Sequence, residues 1–464
     1  MDDKRKTPRL DRLVPFPHGA YHNLNAELSR VQARGSRDLT PRPRPPEKGN
    51  ETMADSTSGK LLVDPSCYGE SGPPHELFRT LRAESPVHWC EMEKVESFYA
   101  ITRHQDIRTI SSHPELFINE PGVNPRVKKS PIENQTAFRV VIVTDGPEHR
   151  DLRKVAMPHL TPRSLATAEA SMRASAKLLV DELAKDGGEG ETDLAMGLAV
   201  RHPLRVLCKT LGVPEDQEET IRELSNRLFG ADDSDLGGGT SPEAFKQLGQ
   251  EFIKLFMPII EDRRANPTND LASVIANGTI RGEALGPIET LGYFLIIFSA
   301  GHDTTKNSLA GGFRALIENP DEFKKVQNDL SLSADCVEEI VRWTTPVNYM
   351  KRTAAQDIDV NGQKIREGEA AMMFYASANR DESVFEDPYT FNVERKPNRH
   401  LGFGHGEHFC MGAHFARRSQ IAIIEELARR VEHWEIIDEP EWISSSFVVG
   451  LKHLPVRYRI RQGD

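Results

Sequence analysis

The sequence predicts a mainly α protein with small β-sheets, and three observations carry that expectation. Apolar residues recur at helical spacing over most of the chain after Pro73, and the strand-like pieces between them are few and short. The longest periodic run, Glu289 to Asn319, would form a helix of ~45 Å at 1.5 Å per residue. It stops at Asn319-Pro320, a sound termination signal.

In chain order, residues 1–52 stand apart. Arg-Pro alternation (Pro41-Arg42-Pro43-Arg44-Pro45-Pro46) and scarce apolar periodicity predict a disordered or loosely attached extension. Ordinary globular sequence follows Met53, which is therefore an alternative start. Pro73-Pro74-His75-Glu76 opens a helix with Leu77, Phe78 and Leu81 on its apolar side; Val87–Trp89 and Ser97–Thr102 read as strands. Helical patterns follow at 148–157, 164–185, 194–211, 215–229 and 241–265. The acidic, glycine-rich stretch 232–239 reads as a surface loop, with a lid as its functional alternative. Strands return between Lys351 and Phe374 around an Asn361-Gly362 hairpin turn, and a last helix follows Cys410. No repeat or linker divides residues 53–464, so one large domain is expected rather than the three that 464 residues would allow.

Composition narrows the function. Lys plus Arg is 59 against 70 Asp plus Glu, a net charge of −11, which disfavours nucleic-acid binding. The most apolar run, Leu291 to Ala300, is about half the ~20 residues that a membrane span needs. No apolar stretch follows the charged N-terminus as a secretory signal would require. The five cysteines contain no CxxC pair, so the expectation is a cytoplasmic protein without a disulfide framework.

The densest chemical signal is Phe403-Gly404-His405-Gly406-Glu407-His408-Phe409-Cys410-Met411-Gly412. A cysteine opening a helix has its thiolate stabilised by the helix dipole and backbone N–H groups, which makes it a good metal ligand. The preceding glycines permit a tight loop around the sulfur. A lone cysteine is more often a small buried hydrophobe. A zinc site from His405, His408, Cys410 and His414 lacks the usual paired spacing, and Gly402, Gly404 and Gly406 miss the GxGxxG pattern of a dinucleotide loop.

The segment resembles the haem-binding signature of the cytochrome P450 family in its Phe, its glycines, its basic residue and its Cys. The resemblance extends over residues 60–464, and it implies the cytochrome P450 fold with haem b as cofactor. Phe403, Cys410 and Gly412 would then contact the haem, with Cys410 as the axial ligand of its iron. Ala300-Gly301-His302-Asp303-Thr304-Thr305, odd in an apolar helix, resembles the family's oxygen-activation motif. Ala300 and Gly301 would leave room beside the haem, Thr304 would hydrogen-bond dioxygen, and Asp303 would gate proton delivery; these last two are the candidate catalytic residues. Glu339 and Arg342 resemble the Glu-x-x-Arg motif, completed by Arg395 as a buried structural network. His149, Arg153, Arg352 and His408 match positions that hold the haem propionates.

The resemblance places Phe294, Ile297, Phe298, Val347, Asn348, Tyr349, Phe447 and Val448 around the substrate, an apolar pocket with one or two polar handles. It favours O2-dependent hydroxylation of a lipophilic small molecule, terpenoid or steroid-like. O-demethylation of a methoxylated aromatic or sugar, and a haem protein that does not activate O2 (peroxide-driven enzyme, isomerase or gas sensor), are the alternatives. The chain carries no flavin or iron–sulfur module, so a separate ferredoxin and ferredoxin reductase are expected as electron donors. Arg150, Arg153, Lys154, Arg163, Lys396, Arg399, Arg417 and Arg418 form a candidate basic patch for an acidic redox partner.

Overall fold

A computed structural model describes residues 55–128, 140–229 and 242–463. The extension 1–52 and the loop 232–239 singled out above lie outside the described residues. The helices are α1 (Asp55–Val63), α2 (Pro65–Ser71), α3 (His75–Glu84), α4 (His104–Ser111), α5 (Gly146–Ala156), α6 (Ala166–Leu183), α7 (Arg201–Thr210) and α8 (Glu218–Phe229). They continue with α9 (Pro242–Ala265), α10 (Leu271–Ala276), α11 (Pro287–Glu318), α12 (Pro320–Asn328), α13 (Ser333–Thr344), α14 (Tyr375–Ala378) and α15 (Ala413–Arg430).

One five-stranded sheet joins β1 (Val87–Cys90), β2 (Phe98–Ile101), β3 (Phe117–Ile118), β7 (Tyr349–Ala354) and β10 (Ala370–Phe374) in the order β1-β2-β10-β7-β3. Within it β2 and β10 run parallel, Phe98 opposite Ala370, which ties the N-terminal third to the C-terminal half. A three-stranded sheet pairs β14 (Pro455–Ile460) with β11 (Val431–Ile436) and β4 (Glu189–Asp193). The pairs β5/β6 (Thr279–Ile280, Glu283–Ala284), β8/β9 (Ile358–Val360, Gln363–Ile365) and β12/β13 (Glu441–Trp442, Leu451–His453) complete the set. The β8/β9 turn is the expected Asn361-Gly362, both residues at positive φ as a tight hairpin demands.

The long helix α11 organises the core. Its upstream half packs Phe294 and Phe298 against Phe252 and Phe256 of α9. Its downstream half packs Leu309, Phe313 and Leu316 with Ile340 of α13, Leu179 of α6, and Ile423 and Leu427 of α15. Each such side chain contributes about 1.5–3 kcal/mol by burial. Helices α6, α7 and α15 are joined at His202, which is fully buried. Its Nδ1 lies 3.1 Å from Ser175 Oγ, and its Nε2 lies 2.9 Å from the Ser419 carbonyl.

Beneath the C-terminal loops lies a buried ion network. Arg342 donates to both Glu339 oxygens at 2.8 and 2.7 Å, and the pair is wholly inaccessible. Arg395 Nε donates to the same carboxylate at 3.2 Å, as do the Asn392 N–H at 2.9 Å and Asn398 Nδ2 at 3.1 Å. A buried carboxylate is tolerated when it is this thoroughly bonded.

Burial lowers the His202 pKa from 6.5 to about 4, with the Ser419 hydrogen bond opposing. The unfolded chain therefore takes up this proton first as pH falls. The stability held above pH 6.5 is lost progressively toward pH 4, on the order of 3 kcal/mol. Urea midpoints of the full chain across this range are expected to fall with pH, and His202→Gln to shallow the slope by about one proton. An unchanged slope would contradict the assignment.

Candidate active site

The cysteine loop is shaped by backbone geometry before any side chain matters. Gly404 and Gly406 sit at φ +71° and +75°, and a Cβ on Gly406 would fall 2.0 Å from the Ser111 carbonyl oxygen at the end of α4. Hydrogen bonds from Gly404 N to Leu401 O (2.9 Å), Phe409 N to Gly406 O (3.0 Å) and Cys410 N to Phe403 O (2.9 Å) close the loop. Arg417 lies 4.3 Å over the Phe403 ring and is itself paired with Glu338.

Cys410 thus stands just before α15 with its thiol exposed. Protein crowding nevertheless desolvates the sulfur and pushes its pKa up; the Gly412 N–H and the charges of Arg153 and Arg417 pull it down. These groups favour the thiolate once a cation offsets the desolvation.

Facing inward, α11 opens along one stripe. Ala300 is exposed and Ile297, Gly301 and Thr304 are partly so, whereas Phe298, Ser299, His302, Asp303 and Thr305 are buried. Positions 297, 300 and 304 share a face at helical spacing. Met411, beside Cys410, packs on the same cluster as Phe294 and Phe298, which brings the cysteine loop up to this helix. A Cβ on Gly301 would meet Leu207 at 3.1 Å, so its lack of a side chain also lets α7 approach. Thr304 Oγ1 donates to the Ala300 carbonyl at 2.6 Å. Asp303 is fully buried, 2.8 Å from Lys306 Nζ, yet neither carboxylate oxygen has an aligned hydrogen-bond donor.

Cationic groups gather on the other side. Arg352 is 4% exposed and bonds only to a backbone carbonyl, that of Lys351, at 2.9 Å. Arg153 is half-buried, with Met157 Sδ at 3.8 Å as its polar contact. Among the described residues no carboxylate is ion-paired with either guanidinium, and burial lowers both pKa values. His149 and His408 stack with ring centroids 3.9 Å apart. Burial, then the neighbouring His408 charge, takes the His149 pKa down to about 4, against Glu407, which lies 3.4 Å away. Burial lowers that of His408 too, against Asp145; His408 Nε2, 3.5 Å from Asp145, lacks a hydrogen-bond partner.

An open thiol, an apolar helix face and one buried and one half-buried guanidinium, neither with a counter-anion among the described residues, fit a flat metal porphyrin bearing two carboxylates. The zinc reading finds no geometry: among the described residues no group of three or more His, Cys, Asp or Glu is arranged to hold a metal ion. Sequence reasoning overlooked Asp145 and Glu407. Asp145 precedes α5 and accepts the Asn119 and Glu120 N–H groups; Glu407 also pairs with Arg150 at 3.1 Å. The Asp145-Gly-Pro run before α5 was the available signal for the first.

Four of the expected pocket residues are buried in the fold. Phe294 and Phe298 are 0% exposed and packed in the aromatic cluster. Asn348 is fully buried, its amide donating to Tyr68 OH and Ser446 O at 2.8 Å each. Tyr349 packs between Phe374 and Phe447. Both expected polar handles are thereby buried in the fold. Ile297, Val347 and Phe447 keep partial exposure, and Val448, nearly buried, bridges to Val347. The basic patch is largely neutralised in place. Arg150, Lys154, Lys396, Arg417 and Arg418 pair with Glu407, Asp151, Asp335, Glu338 and Glu169. Arg163 and Arg399 stay exposed, with no ion pair among the described residues.

The fold and this site define a helical protein with one open cysteine at the start of a helix and buried cationic groups nearby. A sequence model of the family described as Cytochrome P450 matches residues 239–430. The methyl-branched lipid omega-hydroxylase of Mycobacterium tuberculosis is 35% identical over 389 residues, 82% of this chain and 90% of that protein. Linalool 8-monooxygenase of Pseudomonas putida is 33% identical over 402 residues, 85% and 98% respectively. The solved structure of CYP108D1 from Novosphingobium aromaticivorans superposes with a TM-score of 0.81 at 34% identity, covering 88% of this chain and 99% of that one. The chain belongs to the cytochrome P450 family; it is a monooxygenase with haem b as cofactor. No helix among the described residues is long and apolar enough to cross a membrane.

Gly406→Ala tests the loop directly. Positive φ alone costs about 1–3 kcal/mol for a non-glycine residue, and the Ser111 contact adds to it. A lower unfolding temperature and less haem retained per chain are expected, and wild-type values of both would contradict the geometry.

Proposed function

We propose that this protein is a cytoplasmic haem-thiolate monooxygenase that hydroxylates a terpenoid or steroid-like molecule with electrons from a separate ferredoxin and ferredoxin reductase. The observation that carries the site assignment is the open Cys410 thiol, set in a glycine-closed loop and accompanied by buried, anion-free Arg352. Cys410 is the axial ligand in this reading. Haem b held there supplies O2 activation for insertion into a C–H bond, which thiolate ligation favours. His149, Arg153, Arg352 and His408 bind its two carboxylates, and Phe403 and Gly412 shape the thiolate side.

The chain's own part in turnover is proton handling and exclusion of water. Thr304, whose hydroxyl now rests on the Ala300 carbonyl, is placed on the open stripe to offer a proton at Oγ1. Asp303, one residue back and out of solvent, replenishes it; positioned proton transfer of this kind contributes about 10²–10⁴ in rate. Ile297, Ala300, Val347 and Phe447 give the substrate an apolar wall. Relatives named for a methyl-branched lipid, for linalool and for steroid C26 oxidation support a lipophilic substrate. Burial of Asn348 and Tyr349 removes the reason to favour a polar methoxylated ligand. Arg163 and Arg399 are the cations left for an acidic redox partner.

A spin-state titration of the purified ferric protein with monoterpenes, steroids, branched fatty acids and methoxylated aromatics tests the substrate class. A saturable low-to-high-spin shift with a terpene or steroid is expected. A shift confined to the methoxylated compounds would overturn that choice in favour of O-demethylation.

A further inference from the structure

Asp303 has no accessible surface, so any proton it delivers must first reach it through protein. Its nearest titratable neighbours are Lys306 (Nζ to Oδ1 2.8 Å) and His302 (Nδ1 to Oδ1 3.9 Å), both buried. Lys306 serves as counter-ion. His302 Nε2 lies 3.1 Å from the Val200 carbonyl, which only accepts, so Nε2 carries the hydrogen and Nδ1 presents its lone pair. At 2.9 Å from that lone pair stands the hydroxyl of Ser225, also fully buried.

Ser225 belongs to α8, where Glu218, Arg222 and Ser225 occupy one face at i, i+4 and i+7. Glu218 and Arg222 line a surface cleft of about 270 Å³ between α7 and α8, together with Arg201 and Arg205. One face of one helix therefore runs from a surface cleft to the hydroxyl bonded to His302.

We propose that Ser225 and His302 relay protons from this cleft to Asp303. This rests on the reading of Asp303 given under Proposed function. Ser225, one turn in from Arg222 at the cleft, passes its hydroxyl proton to His302 Nδ1 while taking one from a water that enters along that helix face. A turn of the imidazolium brings Nδ1–H to Asp303 Oδ1, the carboxylate takes the proton, and the ring returns neutral. One proton moves from solvent to Asp303, and nothing is oxidised or reduced. Burial and the charges of Lys306 and Arg222 hold the His302 pKa down to about 4 against the pull of Asp303, so the ring carries the proton only in passing. A purely structural pin would have no use for a carboxylate that faces the ring without hydrogen bonds of its own. Ser225 and His302 are positioning residues in this scheme.

The test compares wild type with Ser225→Ala, Ser225→Thr, His302→Leu and Asp303→Asn in the haem-loaded full chain, with a surrogate ferredoxin and reductase and linalool as probe. The readouts are NADH consumption, the fraction of its electrons recovered as peroxide, and the solvent deuterium isotope effect; they hold whether or not linalool is oxidised. Ser225→Ala and His302→Leu are expected to slow consumption about tenfold or more, given the usual size of positioned proton transfer. Peroxide and the isotope effect should rise, and Ser225→Thr should restore wild-type behaviour. The ferrous–CO spectrum should stay unchanged throughout. Wild-type readouts in Ser225→Ala and His302→Leu beside an impaired Asp303→Asn would overturn the relay while leaving the reading of Asp303 intact. Wild-type readouts in all three would overturn that reading as well.

Discussion

Everything at the cysteine is anchored to one buried carboxylate. Glu339 has no access to water, and an uncompensated charge there would cost several kcal/mol. Arg342, on the same helix, and Asn392, Arg395 and Asn398, from the single loop that leads to the cysteine, converge on it. Arg342 then holds the Asn379 carbonyl at 3.0 Å, and the Asn379 side chain accepts the Leu401 N–H at 2.7 Å. Leu401 caps the turn at Gly404, and Phe403 fixes the Cys410 N–H. Hydrogen bonds joined by short stretches of backbone run from the carboxylate to the Cys410 N–H, so the position of the cysteine is inherited from the network beneath it.

The two acids at 0% exposure among the described residues, Glu339 and Asp303, are opposites. Glu339 is saturated with aligned donors, which is how a carboxylate is made rigid and inert. Among the described residues Asp303 has an ammonium beside it and no aligned donor, which leaves its carboxylate able to turn. Helix α11 makes the second situation possible. Its two halves are each locked into an apolar cluster, and only the middle stripe around Ala300 and Thr304 is spared packing. A strong core on either side supports a weak point between them.

Much of this was legible in the sequence because it is local. The glycines before Cys410, the Asn361-Gly362 turn, the Glu339/Arg342 spacing and the run ending at Asn319-Pro320 each act within a few residues. What was not legible depends on which way a face points or on partners far along the chain. Phe294 and Phe298 share a helix with Ala300 but lie on the side taken by α9, a choice that helical periodicity cannot make. Asn348 is polar in sequence yet sealed by Tyr68 and Ser446, distant residues. The basic patch was overcounted because Arg417 and Arg418 find Glu338 and Glu169 only in the fold. The expected helix over 194–211 divides into a wide turn at Ala195–Ala199 and α7, a division that Gly197 and Pro203 were available to signal.

The most direct test of the account is the ferrous–CO absorption spectrum of Cys410→Ser beside that of Cys67→Ser, the other cysteine with accessible surface. The account predicts that wild type and Cys67→Ser show the thiolate-type band and that Cys410→Ser, still folded by circular dichroism, loses it. A thiolate-type band surviving in Cys410→Ser would contradict the central claim, since the sulfur donor would then lie elsewhere.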